Sequence, residues 1–573
     1  MSSQQAPQQN SLSRAEQVLS EAISHQQAGR LLEAEQLYRS VIQIVPHQIS
    51  ALYRLGVLCF QDGRTEQALP FLEDALKQQP QNPGILNTLG VVLQNIGRSH
   101  EAILHFQEAL RIKPDDIGIL ANLGKALREQ GNYESAQECF TKLIQIDPHG
   151  SDYYLEMGRC YYELCYFPEA LTSFEKALGQ QKNSIDVLCA IGRTLWAMGQ
   201  HTEALKRLES ALQIEPANSR VILNLGELLY DEGKIDQALE YLNRALALAP
   251  GWGSAIWRKS FALLAKGEYR EGWKLYATCL SDCDTRGPNK FSPTEPWDGS
   301  FAPNKHLLIW CEQGLGDSLQ FIRYVELCKQ RIGKVSIFCQ QPLVRLFKAL
   351  PFVHDASDTC DISSFDEHVP MMNLPHIFDT VLETIPAAVP YLQIDPNIVE
   401  KWAIKFADAA DALKVGLVWA GGAHQGGATN KIMDFQRSIG LDLMKPWLNL
   451  QGAKFYSLQM DRPSEQIVRL GLADSLIDMM PEVIDFADTA AIIQNLDLVI
   501  TVDTSVAHLA GGLGKPVWVM SRYNADWRWL QNRSRNPWYP TARIFGQPEM
   551  GDWTSVVKKI RHELAAEILK KSV

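Results

Sequence analysis

The sequence predicts an all-α solenoid of repeated helix pairs on its N-terminal side and an α/β body with two parallel-sheet lobes on its C-terminal side. Three observations carry that prediction. Breaking and small residues recur every 34 positions: Pro46, Pro80, Pro114, Pro148, Pro216 and Pro250 on one register, Gly56, Gly90, Gly124, Gly158, Gly192 and Gly226 on a second. Ala34, Ala68, Ala102, Ala136, Ala170, Ala204 and Ala238 hold a third, and Gly29, Gly63, Gly97, Gly131, Gly199, Gly233 and Gly267 a fourth. The periodicity stops near Leu280, and short apolar runs then alternate with tight turns and helical segments, a series that restarts at Val415-Gly416-Leu417-Val418-Trp419.

Each register has a physical meaning. Two short helices cross closely only where a side chain is small, a glycine between them permits the tight turn, and a proline ends the second helix. The period matches the tetratricopeptide repeat. Units of this kind bury their apolar faces only against neighbours, so about eight of them are expected to stack from 15 to 283, behind a disordered N-terminus over 1–14. One unit departs from the pattern: Cys165 stands at the turn glycine and Lys182 at the terminal proline.

Composition sets the outer bounds. A chain of 573 residues, 46% of them hydrophobic, has room for several packed cores. Its net charge of −11 and the lack of a long Lys/Arg run exclude nucleic acid as an expected partner. Met1 to Ser13 lack the basic start and apolar centre of a signal peptide, and no apolar run reaches about 18 residues. A cytoplasmic protein without a transmembrane segment is therefore expected. The 11 cysteines form no C-x-x-C pair and lie apart from His partners, so buried thiols and no metal site are expected.

The Pro- and Gly-rich stretch 284–305 reads as a linker. A first α/β lobe is expected over 306–395, with strands at His306 to Cys311 and Val335 to Cys339 and one amphipathic helix from Ser318 to Arg331. A helix from Val399 to Leu413 opens the second lobe, 396–573. Its strands are placed at Lys454 to Leu458, Leu498 to Val502 and Val517 to Met520, with helices at Thr489 to Asn495 and Ser505 to Leu513. Ligands of such lobes bind at the carboxyl ends of the strands.

Two strand-to-helix turns hold the residues suited to chemistry. In the second lobe, Asp503, Thr504 and Ser505 open a helix whose free N–H groups suit a diphosphate, and His508 lies one turn on. The same pattern also fits a plain helix cap with a satisfied core histidine. In the first lobe, Gln313, Gly314 and Gly316 form a glycine loop, with Asp317 at the start of the helix as either a cap or a general base. Neither G-x-G-x-x-G nor a P-loop is present, so no nicotinamide or P-loop triphosphate site is supported.

The ordered set Glu312-Gln313-Gly314-Leu315-Gly316-Asp317, Arg437-Ser438-Ile439 and Asp503-Thr504 with His508-Leu509-Ala510 resembles bacterial tetratricopeptide-repeat glycosyltransferases. Their catalytic part is similar to glycosyltransferase family 9, the ADP-heptose heptosyltransferases. Asp526-Trp527-Arg528-Trp529 and Trp538-Tyr539-Pro540 look like the closing segment of that group. The resemblance implies a GT-B fold of two Rossmann-like lobes and metal-independent catalysis with no cofactor beyond a nucleotide-sugar donor. It further implies Asp317 as base, with Arg437, Ser438, Asp503, Thr504, Ser505 and His508 binding the donor. The segment Gly421 to Asn430, with His424 and the following Lys431, departs from the loop usual in that family.

The arrangement also resembles O-linked N-acetylglucosamine transferases, whose solenoids carry an Asn ladder two positions before the repeat glycine. Here that position reads Arg54, Thr88, Asn122, Glu156, Ala190, Asn224 and Arg258, so a continuous ladder is absent and mixed charges with Tyr153, Tyr154 and Tyr161 are expected to recognise a partner, unless these tyrosines are core. Two functions are carried forward. One is a metal-independent glycosyltransferase moving a sugar from a nucleotide-diphosphate sugar to a hydroxyl of a protein or large glycan recruited by the solenoid, with inversion implied by the resemblance and not by the residue spacing. The other is a tetratricopeptide scaffold whose α/β part has lost turnover.

Overall fold

The computed structural model describes residues 5–279, 296–409, 411–422, 427–530 and 536–571. The chain divides into two compact units, 1–214 and 215–573.

The first unit is built of antiparallel helix pairs. Gln5–Gln27 packs on Leu31–Ile44, and the pairs that follow start with Ile49–Gln61, Pro83–Asn95, Ile117–Glu129, Ser151–Glu163 and Ile185–Ala197. Helix begins at Gln5, so the disorder expected over 1–14 is not what residues 5 to 14 show.

The glycine and alanine registers explain the close crossings. A Cβ on Gly90 would lie 2.5 Å from Phe106 Cε1, and one on Gly158 2.5 Å from Phe174 Cε1. Ala34, Ala68, Ala102, Ala136, Ala170 and Ala204 are fully buried where the facing helix crosses. The divergent repeat keeps its form. Cys165 takes the turn glycine's left-handed backbone at φ 64°, and Phe167–Gln180 ends on schedule without its proline.

The second unit begins with two more pairs, Ser219–Asp231 with Ile235–Leu248 and Gly253–Lys266 with Tyr269–Thr278. The expected boundary at 283 is thus displaced by two repeats, and the reason lies in aromatic packing. Tyr269 stacks on Trp538 at 5.9 Å and accepts a 3.0 Å hydrogen bond from its indole N–H, while Trp273 packs edge-on to Trp527 at 5.2 Å and Phe321 at 5.5 Å. These helices bury their last face against the α/β body.

That body holds two parallel sheets. The first orders β3-β2-β1-β4 from β1 (Ala302–Trp310), β2 (Ile332–Phe338), β3 (Asp355–Ser357) and β4 (Glu367–Pro370). The second orders β10-β9-β8-β5-β6-β7 from β5 (Leu413–Val418), β6 (Ala453–Ser457), β7 (Leu476–Asp478), β8 (Leu498–Val502), β9 (Val517–Ser521) and β10 (Ala542–Gly546). Strands β5, β8 and β9 are almost wholly buried apolar residues, as a sheet covered on both faces requires.

Three expectations change in detail. Residues 284–295 of the expected linker lie outside the described residues, and from Pro296 on the chain is already folded: Pro296 bridges to His368, and the Trp297 N–H donates to the His368 carbonyl at 2.7 Å. The single helix expected from Ser318 to Arg331 is two short helices, Leu315–Phe321 and Val325–Lys329, joined by a 3-10 turn, with Arg323 turned inward at the break. The helix expected from Val399 to Leu413 is Pro396–Ala403 followed by 3-10 backbone, and Leu413 opens β5.

Candidate functional site

The carboxyl ends of β1, β5 and β8 place the sequence-derived residues around one centre in the second unit. After β1, the Gln313 carbonyl accepts from Gln340 Nε2 at 2.6 Å, and the Gly314 N–H donates to the Asp317 carboxylate at 3.1 Å. Helix Leu315–Phe321 then packs on helix Ser505–Gly512. A Cβ on Gly316 would fall 2.9 Å from His508 Cδ2, so this close approach needs glycine.

After β8, Thr504 bonds Thr501 side chain to side chain at 2.9 Å, and Ser505 opens the helix. After β5, Gln459 Oε1 accepts from the N–H groups of Trp419 and Ala420 at 3.0 and 2.9 Å, and Ser438 Oγ accepts from the Gly421 N–H at 3.0 Å. Arg437 donates to the Asp503 carbonyl at 3.2 Å and pairs with Asp434. His424 lies outside the described residues, and Lys431 is part of helix Ala428–Arg437.

The sequence reading gave Arg528 no role, yet it is the hub. Its guanidinium pairs with Asp317, pairs with Asp526 at 2.8 Å, donates to Gln320 Oε1 at 2.8 Å and lies 4.2 Å over the Trp527 ring. The signal was the alternation Asp526-Trp527-Arg528-Trp529, charge and indole by turns, in a stretch with no strand or helix pattern. Its neighbour Arg323 is also buried, donating to the Trp538 carbonyl at 2.8 Å and to the Tyr391 hydroxyl at 3.0 Å.

These surroundings set the proton affinities. Burial raises the Asp317 carboxyl above its ordinary value while Arg528 pulls against it, and burial with Asp526 nearby raises Asp503. Burial drives His508 well below its usual range, with Arg528 and Arg323 adding to the effect. The neutral ring exchanges a 2.9 Å hydrogen bond with the Tyr539 hydroxyl and stacks on Trp529 at 5.3 Å. Asp317 and His508 are therefore both engaged by protein partners. Among the described residues, no three His, Cys, Asp or Glu side chains group as metal ligands, and no helix is long and apolar enough to cross a membrane.

Comparison with known proteins bears on the helix pairs. Family descriptions of the tetratricopeptide repeat match residues 25–90 and 195–270, 83–116, and 118–149. Over those residues the helix pairs match the tetratricopeptide repeat. Protein FlbA of Caulobacter vibrioides is 25% identical over 327 residues, covering 52% of this chain and 52% of that protein, so the chain spans about half the length of that curated relative. Among solved structures, a tetratricopeptide repeat protein from Parabacteroides merdae aligns at 15% identity and TM-score 0.39, covering 44% of this chain and 98% of that one. PilF of Pseudomonas aeruginosa aligns at 25% identity and TM-score 0.32, covering 36% and 94%.

The comparisons correct the glycosyltransferase expectation. The three matched family descriptions are all tetratricopeptide repeats, and neither they nor FlbA tie the chain to glycosyltransferase family 9 or to the O-linked N-acetylglucosamine transferases. The resemblance, the transferase activity and the nucleotide-sugar donor drawn from it fall together. The motifs that suggested them are short, and the structure gives them packing duties: Asp317 caps the loop before its helix and neutralises Arg528, and Gly316 admits His508. What stands is the coarser architecture, a tetratricopeptide array and an α/β region with two parallel sheets.

Proposed function

We propose that this protein is a binding scaffold: the tetratricopeptide pairs of the first unit hold a partner protein, and the α/β body is a terminal domain without turnover of its own. The repeats from 15 to 214 are the binding part in this reading, and 306–395 and 396–573 are the two sheet-bearing halves of the terminal body. One observation carries the proposal. Polar side chains on the first helices of successive pairs bond to one another along the array: Tyr53 to Thr88 at 3.1 Å, Asn122 Nδ2 to Asn87 Oδ1 at 2.9 Å, and Arg128 to Glu156 at 2.7 Å. A face stiffened in this way presents a polar surface already ordered before a partner arrives, which lowers the entropy lost on binding. Tyr153 and Tyr161 pack against the core, and Tyr154 lies under Lys176 at 5.7 Å, so the aromatic residues expected to grip a partner are largely structural.

The test is binding of the full chain to an array of defined peptides of acidic, basic and neutral composition. Saturable binding that weakens with Asn87→Ala and Asn122→Ala supports the scaffold; a chain that binds no peptide of any class refutes it. For the α/β body we propose that Gln313, Gly314, Gly316, Asp317 and His508 hold the two lobes in register, and that Arg437, Ser438, Asp503, Thr504 and Ser505 receive a small anion. Arg437 Nε supports the latter: it is out of water and has no acceptor among the described residues. Inorganic phosphate at about 100 times its dissociation constant is expected to stabilise the body by about 2.7 kcal/mol, and Arg437→Ala to abolish the effect. Equal stabilisation of that variant would sink the anion site.

A further inference from the structure

The first-helix face of the first unit is not uniform in charge. Counting from the packing glycines Gly124, Gly158 and Gly192, the next residue is Lys125, Arg159 and Arg193, a cation in three successive repeats. The equivalent residues earlier in the array are Val57 and Val91. One helical turn on from these cations stand Arg128, Tyr162 and Trp196, and one turn back Asn122, Glu156 and Ala190. The helices that carry them, Ile117–Glu129, Ser151–Glu163 and Ile185–Ala197, are neighbours in the stack.

This block holds four cations and one carboxylate in a chain whose net charge is −11. The carboxylate, Glu156, is 7% exposed and is held between Arg128 at 2.7 Å and Arg159 at 2.6 Å. It pins those two arginines without cancelling the outer cations. Lys125 and Arg193 are exposed, and neither pairs with a carboxylate among the described residues. Arg193 instead lies 5.2 Å over the Tyr162 ring, which fixes its position. Glu129 and Glu163 border the block at the helix ends, and Glu129 is already engaged by Gln94 and, at 3.7 Å, Arg128.

We infer that this basic face binds an extended acidic segment of a partner protein, with carboxylates about three residues apart seated on Lys125, Arg159 and Arg193. The inference rests on the scaffold reading and names its partner chemistry. Spacing and charge both point to it. Packed helices lie about 8–10 Å apart, and a segment extended as polyproline II has three residues per turn and advances about 3.1 Å per residue, so every third side chain returns to the same face about 9 Å further on and meets the next cation. Complementary charge sets partner choice and speeds encounter. Nucleic acid fits less well, because a patch of four cations on an acidic protein neutralises few phosphates.

The experiment uses the full chain and three fluorescein-labelled peptides: Glu-Gly-Ser-Glu-Gly-Ser-Glu, its isomer with the three Glu adjacent, and its Lys counterpart, all read by anisotropy at low salt. The spaced acidic peptide is expected to bind at least tenfold more tightly than the Lys counterpart and severalfold more tightly than the clustered isomer. The double substitution Lys125→Glu with Arg193→Glu should reverse the acidic-over-basic preference, with an unchanged circular dichroism spectrum showing that the repeats still fold. Equal binding of the two acidic isomers, or an unchanged preference in the double variant, overturns the inference. So does an equally tight single-stranded oligonucleotide whose binding is lost in the same variant, since the face would then serve polyanions in general. Neutral or basic peptides that bind while ignoring Lys125 and Arg193 would leave the scaffold standing and remove only this partner, whereas no binding by any peptide would remove both.

Discussion

Replacing Arg528 with Met tests whether the centre at the ends of β1 and β8 is a structural joint. The guanidinium is 13% exposed and faces Asp317 and Asp526, with Asp503 close enough to feel its charge. Removing one partner of a buried ion pair costs about 3–5 kcal/mol because the other charge is left uncompensated. Loss of the cation over Trp527, at 4.2 Å, adds about 1 kcal/mol. These terms overlap, so about 4–5 kcal/mol is expected for Arg528→Met at pH 7.5. The loss should be smaller at low pH. Without the cation the folded-state carboxyls rise further above their unfolded values, and a carboxyl raised on folding contributes stability that is present at low pH and lost as pH rises through its folded value. Adding Asp317→Asn to the variant should recover part of the loss at pH 7.5 and less at pH 5. Urea unfolding followed by tryptophan fluorescence suits the measurement, since Trp527, Trp529 and Trp538 are buried beside the centre. A loss below about 1 kcal/mol at pH 7.5, or one independent of pH, would refute the reasoning, because Arg528 would then be as well solvated as a surface cation.

Three further outcomes are expected. Gly90→Ala places a methyl 2.5 Å from Phe106, and overpacking of about 1–3 kcal/mol set against a helix gain of about 1 kcal/mol leaves it less stable than wild type, whereas Gly226→Ala, whose Cβ would sit 3.1 Å from Leu242, should be near neutral by the same denaturation assay. Cys165→Gly should stabilise the divergent repeat by about 1 kcal/mol by removing the cost of a side chain at φ 64°, and an unchanged urea midpoint would contradict this. Asp231, beside Tyr230, Glu227, Arg258 and Arg522, is pushed up to about 6, chiefly by burial with the two arginines opposing. Stability should therefore fall as pH rises from about 4 to 6, by at most about 3 kcal/mol. Asp231→Asn should flatten that slope; a slope kept in the variant would assign it to another group.

How much of the candidate centre was legible differs from residue to residue. Asp317, Asp503, Thr504, Ser505 and His508 stand at strand-to-helix turns, positions that apolar runs and glycines mark in any parallel α/β sequence, and the structure brings them together. Their partner Arg528 follows Asp317 by 211 positions in a stretch without periodicity, and nothing local connects the two. The resemblance read from those turns went further than they warrant, since a cap or an ion-pair partner needs the same residue types as a base or an anion ligand.

Sequence alone determined the helix pairs. Glycine where a methyl would strike Phe106 and alanine where helices cross are requirements of backbone approach between residues near in the chain, so they recur with the repeat and can be counted. It also determined the two parallel sheets, because strands buried on both faces are apolar throughout. Only the tertiary structure decided that the last two pairs belong with the α/β body, through Tyr269 and Trp273 against Trp538 and Trp527, and that one arginine neutralises carboxylates from both lobes. Apart from the Arg528–Asp526 pair, those contacts join residues more than two hundred positions apart, and no local periodicity encodes a pairing that exists only once the chain has closed on itself.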